Sequence, residues 1–357
     1  MKISVIIPCF NSEKYIREAL DSLANQTVLP EEVIVIDNGS TDKTVNIIHE
    51  FINNHKNINI ITDVEFKKGP GAARNKGIWL STCDIIAFTD SDCRADKEWI
   101  ANIKKQFFDP EVVAVGGTVY IDNPQNTIEK YQTTLQPSEN NPEVHFLHKN
   151  DIFKGNFLVT NNCAYKSNMI KKINGFDESF FEAGEDADLN IRFLNVLSSS
   201  NKILINIKKI KIFHKPRKTL KQLLKQLFTY RLGFARVMKV HFKNKIIFSI
   251  PFLSLLEKDN NKITAYIEFK SVIFTIITAA IFVLSYAVSY KFLMLLLFLI
   301  FLYSLYNFNK FCISLKKINM KINIYDKILI IFIIVLIKIF DQFIKTCASI
   351  KYKIIFY

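Results

Sequence analysis

The chain has 357 residues, with 47 Lys plus Arg against 33 Asp plus Glu, a formal net charge of +14, and 49% hydrophobic residues. It is long enough for one large or two ordinary domains and too apolar for a disordered protein. The charge is uneven: residues 1–200 hold 20 basic and 28 acidic residues, net −8, and the rest hold 27 and 5, net +22.

Short Ile- and Val-rich runs at 3–7, 32–36, 58–62 and 85–89 fit strands buried on both faces. Between them, Tyr15, Ile16, Ala19, Leu20 and Leu23 follow a helical period after a candidate cap at Ser12, and residues 44–51 follow Ser40, Thr41 and Asp42. This alternation predicts an α/β fold with a doubly wound, mostly parallel sheet, whose ligands sit beyond the strand C-termini. Further on come a strand-like 112–120, a polar loop near 136–142 and a helix over 186–197. The soluble part is expected to end near Lys215, with halves 1–95 and 96–215.

No acid occurs between Asp188 and Glu257, while residues 202–245 supply 14 Lys and Arg. Such a surface meets nucleic acid or anionic lipid. Lipid is favoured, because residues 272–290 and 292–308 are uncharged apolar runs separated only by Lys291, each near the ~20 residues that span a bilayer. Within a basic segment over 216–262, residues 220–240 interleave Leu223, Leu224, Leu227 and Phe228 with Lys221, Lys225, Arg231 and Arg236, as in a helix lying in the membrane interface. Region 263–357 is then a helical membrane region with both ends of its hairpin on the cytoplasmic side, given the lysines that follow residue 308. A third apolar stretch, 328–344, contains Lys338 and Asp341 and is expected to be interfacial or partly buried in preference to spanning. No cleavable signal peptide is expected, and the six scattered cysteines read as reduced thiols of a cytosol-facing protein.

Four places carry the chemistry. The first two predicted strands end in Pro8-Cys9-Phe10-Asn11 and Asp37-Asn38-Gly39-Ser40. They are either nucleotide-reading loops or turns running into helix caps. Gly69-Pro70-Gly71-Ala72-Ala73-Arg74 opens the third helix instead of following the first strand, which argues against a dinucleotide fingerprint. Arg74 there either meets a phosphate or base or forms an ion pair. Asp90-Ser91-Asp92 ends an apolar strand in two carboxylates, a costly arrangement unless they bind a cation or find donors. Gly184-Glu185-Asp186-Ala187-Asp188 opens a helix, where Asp186 is a cap and Asp188 pairs with Arg192, or one of the carboxylates is a general base. His214 is either a partly buried histidine or a third cation ligand.

Taken together, these motifs, with Gly71-Ala72-Ala73-Arg74-Asn75 and Gly175-Phe176-Asp177-Glu178, resemble a family 2 glycosyltransferase of GT-A fold over residues 1 to about 240. The resemblance implies that Pro8, Phe10, Asn11, Asp37, Asn38 and Arg74 line the nucleotide pocket and that Asp90 approaches the ribose. It implies that Asp92, with Asp90 and His214, holds Mg²⁺ or Mn²⁺, and that Asp186 is the base with Glu185 its acidic neighbour. Asn156, Asn161 and Asn162, in a Gly- and Asn-rich segment over 154–162, are expected to shape the acceptor pocket. Many members carry Asp where this chain has Asn38. The implied reaction is inverting transfer from a nucleotide sugar, UDP-linked as the first expectation, to a polyprenyl-linked saccharide for a surface polysaccharide or glycolipid. The implied place is the cytoplasmic face of a bacterial inner membrane bearing anionic lipids. Transfer to polyprenyl phosphate itself is the rival within the class, and a silent nucleotide-binding scaffold the rival outside it. No Gln-x-x-Arg-Trp motif points to a processive synthase.

Overall fold

The structure, a computed structural model, describes residues 1–133, 143–148, 156–181, 183–241, 248–249, 267–268, 333 and 337. β1 (Ile3–Cys9), β2 (Glu32–Asp37) and β4 (Ile85–Phe88) are almost wholly buried, as their Ile and Val runs require when helices cover both faces. β3 (Ile60–Val64) lies at the sheet edge and is half-buried throughout; it begins later than the expected 58–62. These four strands pair in parallel. β8 (Cys163–Lys166) then runs antiparallel to both β4 and β6 (Val112–Ile121), and β9 (Ile203–His214) runs parallel to β6. The order is β3-β2-β1-β4-β8-β6-β9-β5, where β5 is Cys93–Ala95 and β7 (Val144–Phe146) also pairs with β9.

Alternate residues of β1 enter opposite cores, as the two-residue period of a strand dictates. Ile3, Val5 and Ile7 pack with Leu20 and Leu23 of α1 (Ile16–Ala24), Phe51 of α2 (Thr44–Asn54) and Trp99 of α4 (Trp99–Gln106). On the other face Ile6 joins Ile78 of α3 (Pro70–Leu80), Ile170 of the helix Ser167–Lys172, and Leu189 and Phe193 of the helix Glu185–Val196. The α/β, mostly parallel sheet expected from the sequence is therefore present.

One irregularity matters for the site. The β6–β9 register passes from Gly117 opposite Ile207 to Thr118 opposite Lys211, so Lys208, Lys209 and Ile210 of β9 form a bulge between them. Gly117 makes room for this, since a Cβ there would collide with the carbonyl oxygen of Ile210. Past the bulge, the end of β9 pairs antiparallel with β5, with Cys93 opposite His214.

The chain divides into two compact units, Met1–Pro124 with Leu135–Pro216, and Gln125–Thr134 with Arg217–Tyr357. In the second, α5 (Thr127–Thr133) supplies Tyr131 to a buried cluster with Leu223, Ile333 and Ile337. Numbered in chain order, the helix Ser167–Lys172 is α6, Glu185–Val196 is α7 and Leu220–His241 is α8. The apolar positions Leu223, Leu232, Ala235 and Val237 of α8 are buried, and Leu223 is covered by the chain's own side chains. The expected interfacial helix thus has at least part of its apolar face inside the protein. Among the described residues no helix is long and apolar enough to cross a membrane. The runs 272–290 and 292–308 lie outside the described residues, as does 328–344 apart from Ile333 and Ile337.

Candidate active site

The parallel strands deliver their loops to one end of the sheet. At the end of β1, Phe10 is 59% exposed, and Asn11 adopts a left-handed backbone with φ of 49°. Its Oδ1 accepts the Thr41 N–H at 2.8 Å and its own N–H donates to Ser40 Oγ at 2.9 Å, which ties the two loops together. At the end of β2, the Asp37 carboxylate accepts the N–H groups of Gly39 at 3.2 Å and Ser40 at 3.1 Å. Burial, and then the adjacent Asp37, push the Cys9 thiol up to about 12. Asn38 donates to the carbonyls of Glu65 at 2.8 Å and Lys67 at 2.9 Å and accepts the Gly69 N–H at 2.8 Å. Its amide is a clamp on the β3–α3 loop, and Asp37 serves its own turn. Beside these loops Phe10 is exposed and Pro8 half-buried.

The Asp-Ser-Asp triplet at the end of β4 is divided among three partners. Asp90 Oδ1 accepts from Arg74 at 2.8 Å. Ser91 and Ser12 share a hydroxyl hydrogen bond of 2.7 Å. Asp92 Oδ2 lies 3.4 Å from His214 Nε2, where the β5–β9 pairing brings the imidazole. Of the three expected cation ligands, Asp92 and His214 come together, while Asp90 is held by Arg74. The Cys93 thiol is also close, so that one ligand atom from each of Asp92, Cys93 and His214 lies within 4.8 Å of the others.

This donor set fits a divalent cation. An oxygen and a nitrogen 3.4 Å apart can share an ion at about 2.0–2.2 Å from each, and both side chains keep some solvent exposure, 20% and 14%. Burial, followed by Asp92 and Asp90, pushes the Cys93 thiol well above its ordinary value, which leaves oxygen and imidazole as the ready donors. Beside them Asp122 accepts from Arg94 at 2.8 Å and Lys215 at 2.7 Å, and Lys215 also reaches Glu18. Burial raises the Asp122 carboxyl, but Arg94 and Lys215 outweigh it and hold the group below its ordinary value. This network fixes the strand end that carries His214.

At the start of α7 the cap position falls to Gly184, with φ of 96°, and Asp186 makes no capping bond of the expected kind. Glu185 Oε1 accepts from Arg74 at 2.9 Å. Asp188 pairs with Arg192 at 2.8 Å, as the four-residue spacing predicts. Asp186 has no ion pair among the described residues; its Oδ1 accepts the Ala187 N–H at 2.8 Å. Burial and the adjacent Glu185 push its carboxyl up to about 7.

Among the residues expected at the acceptor, Asn156 is exposed and Asn161 half-buried. Asn162 is not available to a ligand. It is fully buried, accepts from Trp99 Nε1 at 2.8 Å and donates to the carbonyls of Thr118 at 2.9 Å and Ile210 at 3.1 Å. Asn190, which lies in none of the motifs above, is a buried amide that donates to the carbonyls of Asp186 at 2.7 Å and Leu158 at 3.0 Å and accepts the Leu158 N–H. Its signal was a polar residue between Leu189 and Ile191, one turn after Asp186.

Residues 4–173 match the family model described as Glycosyl transferase family 2. The chain carries a family 2 glycosyltransferase domain. Glycosyltransferase AglE of Haloferax volcanii is 30% identical over 51% of this chain and 58% of its own length. The Methanococcus voltae protein named dolichyl N-acetyl-alpha-D-glucosaminyl phosphate 3-beta-D-2,3-diacetamido-2,3-dideoxy-beta-D-glucuronosyltransferase is 28% identical over 71% of this chain and 79% of its own. A poly(ribitol-phosphate) beta-glucosyltransferase of Bacillus spizizenii is 43% identical over 26% of this chain, and that match spans only 15% of the relative. Among solved structures, the mannosyltransferase PcManGT from Pyrobaculum calidifontis, in complex with GDP-Man and Mn²⁺, has a TM-score of 0.52 at 18% identity, covering 70% of this chain and 66% of that one. The shared fold is GT-A.

Proposed function

We propose that the chain is an inverting glycosyltransferase that moves one sugar from a nucleoside diphosphate to a hydroxyl of a lipid-linked saccharide. The observation that carries this reading is the placement of Asp186: a carboxylate at the start of α7, without an ion pair among the described residues, in the same unit as the Asp92–His214 pair. Burial and Glu185 raise its carboxyl above the ordinary value, which suits a general base near neutral pH. Asp92 and His214 would hold the divalent cation, with Mn²⁺ the better match to an oxygen–imidazole pair. When bound, the cation supplies Lewis-acid stabilisation of the departing diphosphate. Phe10 and Asn11 offer an exposed ring and a fixed loop to the nucleoside. Asn190 holds the Leu158 segment against the backbone of Asp186, so that the acceptor wall and the base keep one geometry. The acceptor oxygen, its proton taken by Asp186, attacks the anomeric carbon from the face opposite the diphosphate; the new glycosidic bond forms as the sugar–phosphate bond breaks, the nucleoside diphosphate departs with the electron pair, and the configuration inverts.

The lipid-linked acceptor is supported by the charge of +22 after residue 200 and by the apolar runs 272–290 and 292–308. The dolichyl-linked acceptor in the name of the Methanococcus voltae relative supports it too. The proposed place is the cytoplasmic face of a bacterial inner membrane, in the synthesis of a surface glycan or glycolipid. The test is transfer by the purified full chain from UDP-, GDP-, CDP- and dTDP-sugars to extracted lipid-linked saccharides with Mn²⁺ or Mg²⁺. Metal-dependent transfer lost in Asp92→Asn and Asp186→Asn supports the reading; transfer that survives both refutes it.

A further inference from the structure

Arg74 reaches no solvent-facing position from which to meet a phosphate or base. It is 3% exposed and lies on the buried side of α3. One terminal nitrogen donates to Asp90 at 2.8 Å and the other to Glu185 at 2.9 Å, and the guanidinium carbon stands 5.7 Å from the centre of the Phe176 ring. The next residue fastens this arrangement. Asn75 accepts the Phe176 N–H at 2.8 Å and donates to the Phe176 carbonyl at 2.9 Å and to Glu178 at 2.8 Å.

The two carboxylates that Arg74 joins belong to different parts of the reaction. Asp90 stands at the end of β4, one residue before Ser91 and two before Asp92. Glu185 opens α7, immediately before Asp186. A buried guanidinium that loses either partner is left with uncompensated charge, so both pairs are held together. It also settles a choice that sequence leaves open. Glu185 and Asp186 are neighbours at one helix start, and Arg74 forms its ion pair with Glu185.

We propose that Arg74 is a positioning residue that ties the donor-side strand end to the base-side helix start, and by engaging Glu185 leaves Asp186 as the one carboxylate of the pair that takes the acceptor's proton. This rests on the transferase reading above. Among the described residues, the charged and titratable groups that bear on Asp186 are Glu185 beside it, Arg74 on α3, and the buried Cys163 and Tyr165 on β8; Asp188 and Arg192 pair with each other farther along its helix, and Asp90, just past β4, pairs with Arg74. Glu185 acts to raise the Asp186 carboxyl and Arg74 to lower it. Loss of the guanidinium therefore moves the acid limb of the rate profile to higher pH.

The experiment compares the full chain with Arg74→Lys and Arg74→Met. It reads metal-dependent nucleotide release from UDP-, GDP-, CDP- and dTDP-sugars across pH about 6–9, nucleoside diphosphate affinity by calorimetry, and folding by circular dichroism. Lysine keeps the charge but not the two-armed fork. Arg74→Lys is expected to lower kcat at least about tenfold with KM and diphosphate affinity changed less than about threefold, and with the acid limb in place. Arg74→Met, if folded, is expected to show the same loss at pH 7 with part of it recovered near pH 9. A tenfold or greater fall in diphosphate affinity without a change in kcat would make Arg74 a donor ligand and overturn the inference. So would Arg74→Lys with wild-type kcat. If the wild-type chain neither releases nor binds any of the nucleotides, it is the transferase reading that fails.

Discussion

The end of β4 presents the pair Asp90 and Asp92 and the start of α7 the pair Glu185 and Asp186, with Asp188 bound to Arg192, and the fold separates each pair in the same way but leaves different groups behind. Arg74 takes Asp90 from the first and Glu185 from the second. What remains at β4 is Asp92, beside an imidazole at 3.4 Å. What remains at α7 is Asp186, beside another carboxylate that helps raise it to about 7. Residue type is the same in both places; the neighbour decides whether it is suited to a cation or to a proton. One arginine can divide the two roles because it is buried between the two elements and has a planar two-armed fork.

The largest effect expected from breaking this contrast is at Asp186. Asp186→Asn cannot accept a proton, and sugar transfer is expected to fall by about 10²–10⁴, the range for loss of a general base. Wild-type activity is expected to decline as pH drops through about 7, where the carboxyl becomes protonated. Stability should move the other way. The folded pKa lies above the unfolded value of 3.8, so folding favours the neutral acid below the unfolded pKa, and that advantage is lost as pH rises through about 7. Asp186→Asn is therefore expected to melt higher than wild type at pH 8 and to lose that gain near pH 4, measured by thermal unfolding at the two pH values. An inactive variant that melts lower at pH 8 would break the assignment of Asp186 as a strained base.

The other side of the comparison is tested by Asp92→Asn and His214→Ala. Each removes one donor from the pair, and each is expected to weaken Mn²⁺ binding and metal-dependent transfer on the order of 100-fold, read by calorimetry and by activity against added metal. Chelation of the wild-type protein should match the variants in activity while leaving its melting temperature nearly unchanged, because the Arg94–Asp122–Lys215–Glu18 network holds the strand end without an ion. A third change separates structure from chemistry. Asn162→Ala leaves the Trp99 N–H and two carbonyls without their buried partner. It is expected to cost about 2–4 kcal/mol of stability in denaturant unfolding, with KM for the acceptor unchanged in the folded fraction.

The sheet was legible because its signals are local. Runs such as Ile34-Val35-Ile36 and Ile85-Ile86 allow little else than strands covered on both faces. Asp92 was legible because acids at the end of an apolar strand require an explanation, and Asp186 because its motif resembles the family's. Partnerships were not legible, since they join residues far apart in the chain: Arg74 reaches Glu185 across 111 positions and Trp99 reaches Asn162 across 63. Asn162 shows the limit. An Asn in a Gly- and Asn-rich segment looks like a ligand-reading group, and only the approach of β6, α4 and the β9 bulge turns it into a buried clamp. The amphipathic pattern of α8 was equally visible, but a pattern marks a face to be covered and does not say by what.

The smallest expected effect concerns Asn38, where the family resemblance pointed to a base-reading position often filled by Asp. In the structure the Asn38 amide donates to two carbonyls, of Glu65 and Lys67, and accepts one N–H, from Gly69. A carboxylate in its place keeps the bond from Gly69 but turns both donors into acceptors facing carbonyl oxygens. Asn38→Asp is thus expected to loosen the loop that leads into α3, costing about 1–2 kcal/mol in thermal or denaturant unfolding. Because α3 carries Arg74, the loosened loop should lower the transfer rate a few-fold through the Asp90–Glu185 link, with nucleotide preference unchanged. If Asn38→Asp instead leaves stability intact and switches which nucleotide sugar is used, Asn38 reads the base and the clamp is incidental. Measured together, melting temperature and the ratio of rates with UDP- and GDP-sugars decide between a loop fastener and a specificity residue.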